Sequence, residues 1–193
     1  MKSVFIGPSA LSRLSSSHVA FSMGGSIDIV ENDKAGKAVI SFMVSSPSLV
    51  VKGFGKNIPA LWINPAKCAD GAIIEFKDGG AILHVIESKG RVSTDNWKDI
   101  RQQLFGMILN CRAIMGVLQV GLPVRTIFHV AFKRDTILHG GANPVLLKNP
   151  IGGRRTYGHV EEWKNEEMEF DGDKVLIRKI SKDQFTGRAT VVL

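Results

Sequence analysis

Asp70, Glu87 and Lys89 are the residues whose types and spacing best suit chemistry. Between the two acids lie two short apolar runs, Ala72-Ile73-Ile74 and Ala81-Ile82-Leu83, on either side of the turn signal Asp78-Gly79-Gly80. Folding the segment with Lys77 opposite Gly80 places Phe76 opposite Ala81, Ile74 opposite Leu83, Ala72 opposite Val85 and Asp70 opposite Glu87. Directly opposed residues share a face, with Cβ atoms about 4.5–5.5 Å apart. Lys89 lies two positions beyond Glu87, and the strand period of two returns it to the same face. The expected product is an apolar face that ends in two carboxylates and an ammonium.

Two carboxylates at that distance repel, and one is driven toward its protonated form unless a cation intervenes. Mg²⁺ is commonly held by one or two carboxylates and keeps several waters, and Mn²⁺ is the alternative ion. An ammonium beside such an ion can orient or deprotonate a bound water, or stabilise charge on a phosphate. The other reading is a solvated hairpin rim in which Lys89 screens the acids.

Several elements must position these groups. Ser26 to Glu31, Lys37 to Val44 and Leu49 to Lys52 read as strands, rich in β-branched and apolar residues. Ser9 to Phe21 is read as a helix. Asp95 to Leu118 is the clearest helix, with Thr94 or Asp95 as cap and Ile100, Leu104, Met107, Cys111, Ile114, Met115 and Leu118 on one stripe. Gly121-Leu122-Pro123 ends it, and Arg125 to Phe132 follows as a buried strand. A helix between two strands suggests a crossover that returns to the same sheet. Val160 to Phe170 reads as a short acidic helix, with Lys174 to Ile180 and Thr190 to Leu193 as closing strands. Ile151 to His159 is a basic loop with Arg154, Arg155 and Tyr157, suited to phosphate contact and base stacking.

Taken together, Asp70, the tripeptide Glu87-Ser88-Lys89, the hairpin and the amphipathic helix resemble the PD-(D/E)xK nucleases, the restriction-endonuclease-like superfamily. The resemblance runs from Ala69 to Phe132, in the order strand, strand, helix, strand, with Ala69 where a proline often precedes the first acid. It implies an α/β fold, a mixed β-sheet flanked by helices. It also implies a Mg²⁺-dependent nuclease acting on phosphodiester bonds, with DNA as the expected substrate. Asp70 and Glu87 would hold the metal with the Ser88 carbonyl, and Lys89 would serve the attacking water. Some members use a glutamine on the following helix, which makes Gln103 the fourth catalytic candidate, although Met107 stands where their tyrosine falls. No upstream residue is placed as the extra acid that some members carry. Arg91, Lys98, Arg154 and Arg155 are candidates for backbone contacts. Many members act as homodimers, and no dimer interface is legible in the sequence. The competing expectation is a nucleic-acid-binding or interaction module on the same fold without cleavage, or a mobile-element or assembly domain whose basic surface only aids packing.

Composition agrees with this class. The chain has 193 residues, 44% hydrophobic, with a formal net charge of +7. That length suits a single domain, 1–193, with a nuclease-like core of about 26–145 and a strand-containing extension at 146–193. A basic balance favours a polyanionic partner. Cys68 and Cys111 are the two cysteines; they make no disulfide framework and suggest a reducing, cytoplasmic setting. No apolar run reaches membrane-spanning length, so a membrane is not an expected partner. Met1 to Ile27 carries no acid, only Lys2 and Arg13 as charged residues, and many serines, a weak likeness to a transit peptide. A short structural segment is the preferred reading of it.

Other signals fail on their own terms. His139-Gly140-Gly141 resembles an oxyanion-hole loop, but no Gly-x-Ser-x-Gly elbow accompanies it. Walker and Gly-x-Gly-x-x-Gly loops are missing from the sequence. His84 and His129 fall in strands and read as structural residues, with His84 and Glu75 on the face opposite Glu87.

Overall fold

The turn at Asp78-Gly79 sets the register of the central hairpin. Gly79 and Gly80 adopt φ of 98° and 137°, a backbone region that L side chains rarely enter. The computed structural model describes residues 8–33, 36–53, 67–137 and 158–193. In chain order, α1 (Pro8–Leu11) and β1 (Val19–Ser22) lead into β2 (Gly25–Asp33), β3 (Gly36–Val44) and β4 (Ser48–Lys52). The hairpin is β5 (Gly71–Lys77) and β6 (Gly80–Val92), and α2 (Thr94–Val117) connects it to β7 (Arg125–Asp135). Then come α3 (Gly158–Asn165), β8 (Glu167–Phe170), β9 (Asp173–Ser181) and β10 (Arg188–Val192).

Seven strands form one mixed sheet in the order β1-β4-β5-β6-β7-β9-β8, and β10-β3-β2 form a second. In the hairpin, Lys77 faces Gly80, Phe76 faces Ala81, Ile74 faces Leu83 and Ala72 faces Val85, the register expected from the turn. β6 and β7 are parallel, as are β7 and β9. The α2 segment is therefore the crossover that parallel pairing requires. One consequence fixes the site. The C-terminal ends of β6, β7 and β9 lie on one edge of the sheet, together with the N-terminal start of antiparallel β5.

Strand alternation divides the hairpin between two cores. Ala72, Ile74, Leu83 and Val85 face α2, where Trp97, Ile100, Leu104, Met107, Cys111 and Met115 are fully buried. Ile73 and Ile86 face the other way, against Ile27, Ile29, Ile40 and Phe42 of the three-stranded sheet. The expectation of helices flanking the sheet is therefore corrected. A helix covers one face and a second sheet covers the other. The apolar alternation of β2 and β3 buries one side of that small sheet against the large one. From the C-terminal segment, β9 pairs with β7 and β10 pairs with β3, so both sheets draw on it.

Three local expectations also change. The expected helix at Ser9 to Phe21 is only α1, followed by strand β1, because Val19 to Ser22 pair with Val51 to Ser48 of β4. Serine hydroxyls at Ser15 and Ser17 bond each other at 2.7 Å, the local side-chain bonding that competes with helix. The expected helix at Val160 to Phe170 stops early, since Glu166 has a φ of 57° and Glu167 to Phe170 form β8. The cap of α2 is Ser93, one residue before the expected position, with Asn96 Oδ1 accepting the Ser93 N–H at 2.8 Å.

Candidate active site

The edge where β5 begins and β6 ends brings Asp70, Glu87 and Lys89 together. Asp70 precedes the first paired residue of β5, which continues the register to place it opposite Glu87. Its backbone N–H donates to Glu87 Oε2 at 3.2 Å. Its side-chain Oδ2 accepts the Ser88 N–H at 2.7 Å. Gly53 steadies the same residue: its N–H donates to the Asp70 carbonyl at 2.7 Å. A Cβ on Gly53 would lie 2.6 Å from the Asp70 carbonyl carbon, so the close approach needs glycine. Lys89 Nζ forms an ion pair with Glu87 Oε1.

Glu87 is fully buried, with 0% exposure. Its carboxyl is pushed up to about 8 by burial and by the neighbouring Asp70 and Glu31, against the pull of Lys89. Asp70 is pushed up to about 6 by burial and by Glu31, against the Ser88 N–H, Lys89 and Lys182. Burial pulls the Lys89 ammonium down, but Glu87, Asp70 and Glu31 outweigh it and raise it above its ordinary value. Lys89 thus holds its proton firmly, which suits an electrostatic and orienting role better than that of a base.

Two residues join the cluster that the sequence reading did not include. Glu31 lies on β2 two positions beyond buried Ile29, so alternation turns it toward the large sheet. Extending the pattern Ile27-x-Ile29-x-Glu31 was the signal that could have found it. Lys182 lies just past β9, with only 3% exposure. Its N–H donates to the Phe132 carbonyl at 2.8 Å, and its Nζ donates to Ser88 Oγ at 2.6 Å. The same Nζ lies 3.7 Å from Glu31 Oε2. Burial lowers the Lys182 ammonium from its ordinary value, while Glu31 and Asp70 oppose that shift.

The remaining candidates are more dispersed. Gln103 is half-buried on α2, and among the described residues it makes no hydrogen bond with Asp70, Glu87 or Lys89. Lys98 is exposed near the start of α2. Arg91 is exposed at the end of β6, opposite the exposed Arg134 of β7. This pairing makes Arg134 a further basic neighbour that the register supplies. Arg154, Arg155 and the His139-Gly140-Gly141 segment lie outside the described residues.

On the opposite face of the hairpin, Glu75, His84 and His129 form a separate buried group. Ser46 Oγ donates to Glu75 Oε1 at 3.0 Å, and Lys77 lies 3.0 Å from Oε2. His84 Nδ1 and His129 Nε2 are 3.0 Å apart, with Phe42 edge-on to His129. Burial lowers His84 to about 4 despite Glu75, and His129 to about 3, so both rings are neutral near pH 7.

Among the described residues no group of three or more His, Cys, Asp or Glu side chains is arranged to hold a metal ion. The two-carboxylate set of Asp70 and Glu87 is nonetheless hard oxygen chemistry, the kind that suits Mg²⁺ with water completing its shell. No helix among the described residues is long and apolar enough to cross a membrane. Comparison with protein-family models, with curated proteins and with solved structures finds no match to this chain.

Proposed function

We propose that the protein is a Mg²⁺-dependent nuclease of the PD-(D/E)xK type, hydrolysing phosphodiester bonds, with DNA as the substrate. The observation that carries this reading is the meeting of Asp70, Glu87 and Lys89 at one strand edge, with Glu87 raised by burial and by Asp70, and Asp70 raised by burial and by Glu31. Acids held in that state favour neutralisation by a proton or a cation. Asp70 and Glu87 would hold the ion, with the Ser88 carbonyl as a further oxygen. When bound, Mg²⁺ supplies Lewis-acid stabilisation and lowers the pKa of water.

The chain's own groups do the rest. The Ser88 N–H fixes Asp70 Oδ2, and the Asp70 N–H fixes Glu87 Oε2, so both carboxylates are oriented by backbone. Such preorganised groups need no rearrangement during reaction. Lys89, kept protonated by Glu87, orients the attacking water and offsets negative charge gathering on the phosphate. Arg91 and Arg134, adjacent in register beyond Lys89, provide cations for a neighbouring phosphate. Lys98, Arg154 and Arg155 are further candidates for backbone contact.

The test is incubation of the full chain with plasmid and with single-stranded DNA, in Mg²⁺, Mn²⁺ or EDTA. Metal-dependent cutting that disappears in Lys89→Ala supports the nuclease. Retention of DNA on a gel without cutting, unchanged by Lys89→Ala, supports a binding module on the same fold instead. Neither cutting nor retention overturns both.

A further inference from the structure

An aromatic ring is presented to solvent at the edge of the sheet that holds the acids. Phe185 is 95% exposed, on the loop that joins β9 to β10. That loop starts directly beyond Lys182, whose Nζ donates to Ser88 Oγ at 2.6 Å inside the Glu87-Ser88-Lys89 tripeptide. Strand register gives the same neighbourhood: Ser181 of β9 pairs with Phe132 of β7, and Phe132 pairs with Lys89 of β6. Adjacent strands lie about 4.8 Å apart, so β9 ends about 10 Å from Lys89. Three residues of chain beyond Lys182 reach at most about 11 Å, which keeps Phe185 within the span of a short DNA segment seated on the acids.

The loop is pinned. Asp183 Oδ1 accepts the N–H groups of Phe185 at 3.1 Å and Thr186 at 2.6 Å, and the Thr186 hydroxyl at 2.8 Å. The Asp183 N–H donates to the Arg188 carbonyl at 2.9 Å, and the Gly187 N–H donates to the Asp183 carbonyl at 3.0 Å. Gly187 closes the turn with a φ of 68°. Gln184 Nε2 donates to the Lys133 carbonyl, which ties the loop to the end of β7. The backbone of Phe185 is thereby ordered, while its ring joins neither hydrophobic core. A ring held this way is preorganised for a partner with an apolar face.

The surroundings indicate which partner. Lys133 Cε lies 3.5 Å from where a Cβ on Gly187 would stand, and exposed Arg188 closes the loop. Exposed Arg134 follows Lys133. The loop's own acid, Asp183, is engaged by the loop's donors. Cations around an aromatic ring suit a nucleic-acid strand, with phosphates on the cations and a base on the ring. Inside a duplex both faces of a base are covered by its neighbours, so a single ring at a loop tip takes an unpaired base.

Resting on the nuclease reading for the reaction, we infer that Phe185 is a stacking platform for an unpaired base, and that the strand brought to Asp70, Glu87 and Lys89 is single-stranded DNA.

The experiment measures fluorescence anisotropy of the full chain in EDTA with oligothymidine and with an abasic strand of equal length and phosphate count. Phe185→Ala is expected to keep the wild-type Tm and to weaken oligothymidine binding by about 5–150-fold, the scale of one base–aromatic stack, with an unchanged salt slope. Phe185→Trp is expected to bind at least as well as the wild type. The abasic strand is expected to bind wild type and Phe185→Ala equally. In Mg²⁺ the wild type is expected to cut single-stranded DNA faster than duplex, and Phe185→Ala to lose that preference. Equal oligothymidine affinity in wild type and Phe185→Ala, an equal loss on the abasic strand, or duplex cut as fast as single strand overturns the inference and leaves the nuclease reading standing. Oligothymidine bound through Phe185 but not cut in Mg²⁺ overturns the nuclease reading alone. No binding of either strand by the wild type overturns both.

Discussion

The backbone N–H of Asp70 donates to the Glu87 carboxylate at 3.2 Å, so the residue that opens one strand is held by the acid it faces on the next. Ser88 returns the bond to Asp70 Oδ2 at 2.7 Å. The pair is thereby tied into the ladder rather than left on a flexible rim, and its geometry follows from the hairpin register. Four consequences can be measured.

Glu87→Gln puts a neutral amide at a fully buried position whose carboxyl is already pushed up to about 8 and so favours its own neutral form. The amide oxygen can still accept the Asp70 N–H. Thermal unfolding in EDTA is expected to give a Tm equal to or above that of the wild type. Saturating Mg²⁺ is expected to raise the wild-type Tm, by about 5–10 °C at a hundredfold excess over Kd. In Glu87→Gln that shift is expected to vanish. A large loss of Tm in EDTA would show that the ionised carboxylate itself supports the fold.

Lys89 sits on the cluster with its proton held by Glu87. Lys89→Met is expected to lower the single-turnover cleavage rate by about 10²–10³-fold, the scale of losing one preorganised stabiliser of developing charge. DNA affinity should change little, because one interior cation adds little to a basic surface. Single-turnover kinetics with a binding isotherm separates the two. Equal losses in rate and affinity would reduce Lys89 to a general phosphate contact.

The buried histidines set an acid limit on stability. His129 titrates in the fold at about 3, below its ordinary value of 6.5, because burial and the His84 and Arg178 charges disfavour protonation. The unfolded chain therefore takes up a proton that the fold refuses as pH falls from about 6.5 toward 3. The penalty is absent above that window and grows below it, by about 1.4 kcal/mol per pH unit for a fully excluded proton. Glu87 and Asp70 act oppositely, since raised carboxyls bind protons in the fold first. The informative measurement is the difference between wild type and His129→Leu in urea unfolding from pH 7.5 to 4.5. The wild type is expected to lose stability relative to the variant below about 6.5. Parallel curves would mean that the ring is protonated in the fold.

Arg91 and Arg134 lie opposite each other on parallel strands and are both exposed. Like charges in register cost stability, and a bound phosphate relieves them. Replacing either by alanine is expected to weaken DNA binding and to reduce the salt slope by about 1. Titrations at several salt concentrations check this. An unchanged slope in both variants would remove the pair from the interface.

Much of the site was legible because the chain encodes its register locally. Asp78-Gly79-Gly80 closes a short turn, and period-two alternation then carries Asp70, Glu87 and Lys89 to one place. The α2 stripe was equally readable, since Ile100, Leu104, Met107 and Cys111 recur at helical spacing and are all buried. Glu31 and Lys182 were not found because their partners lie on distant strands. Lys182 stands two positions beyond buried Ile180 on the same face, but the exposed Arg178 precedes both and the strand has already ended at Ser181. The covering of one face by a second sheet was hidden for a similar reason. It depends on Ile27, Ile29, Ile40 and Phe42 of β2 and β3 packing against Ile73 and Ile86, contacts distant in sequence that no local pattern announces. The segment expected to be helical at Ser9 to Phe21 failed because β4 offered Val19 to Ser22 a strand partner, and tertiary pairing outweighed propensity.

The most direct measurement is supercoiled plasmid cleavage by the full chain in Mg²⁺, comparing wild type with Glu87→Gln at equal, verified folding. The account predicts nicked or linear product from the wild type, abolished by EDTA and by Glu87→Gln. Cleavage that persists in Glu87→Gln, or that ignores EDTA, would contradict it.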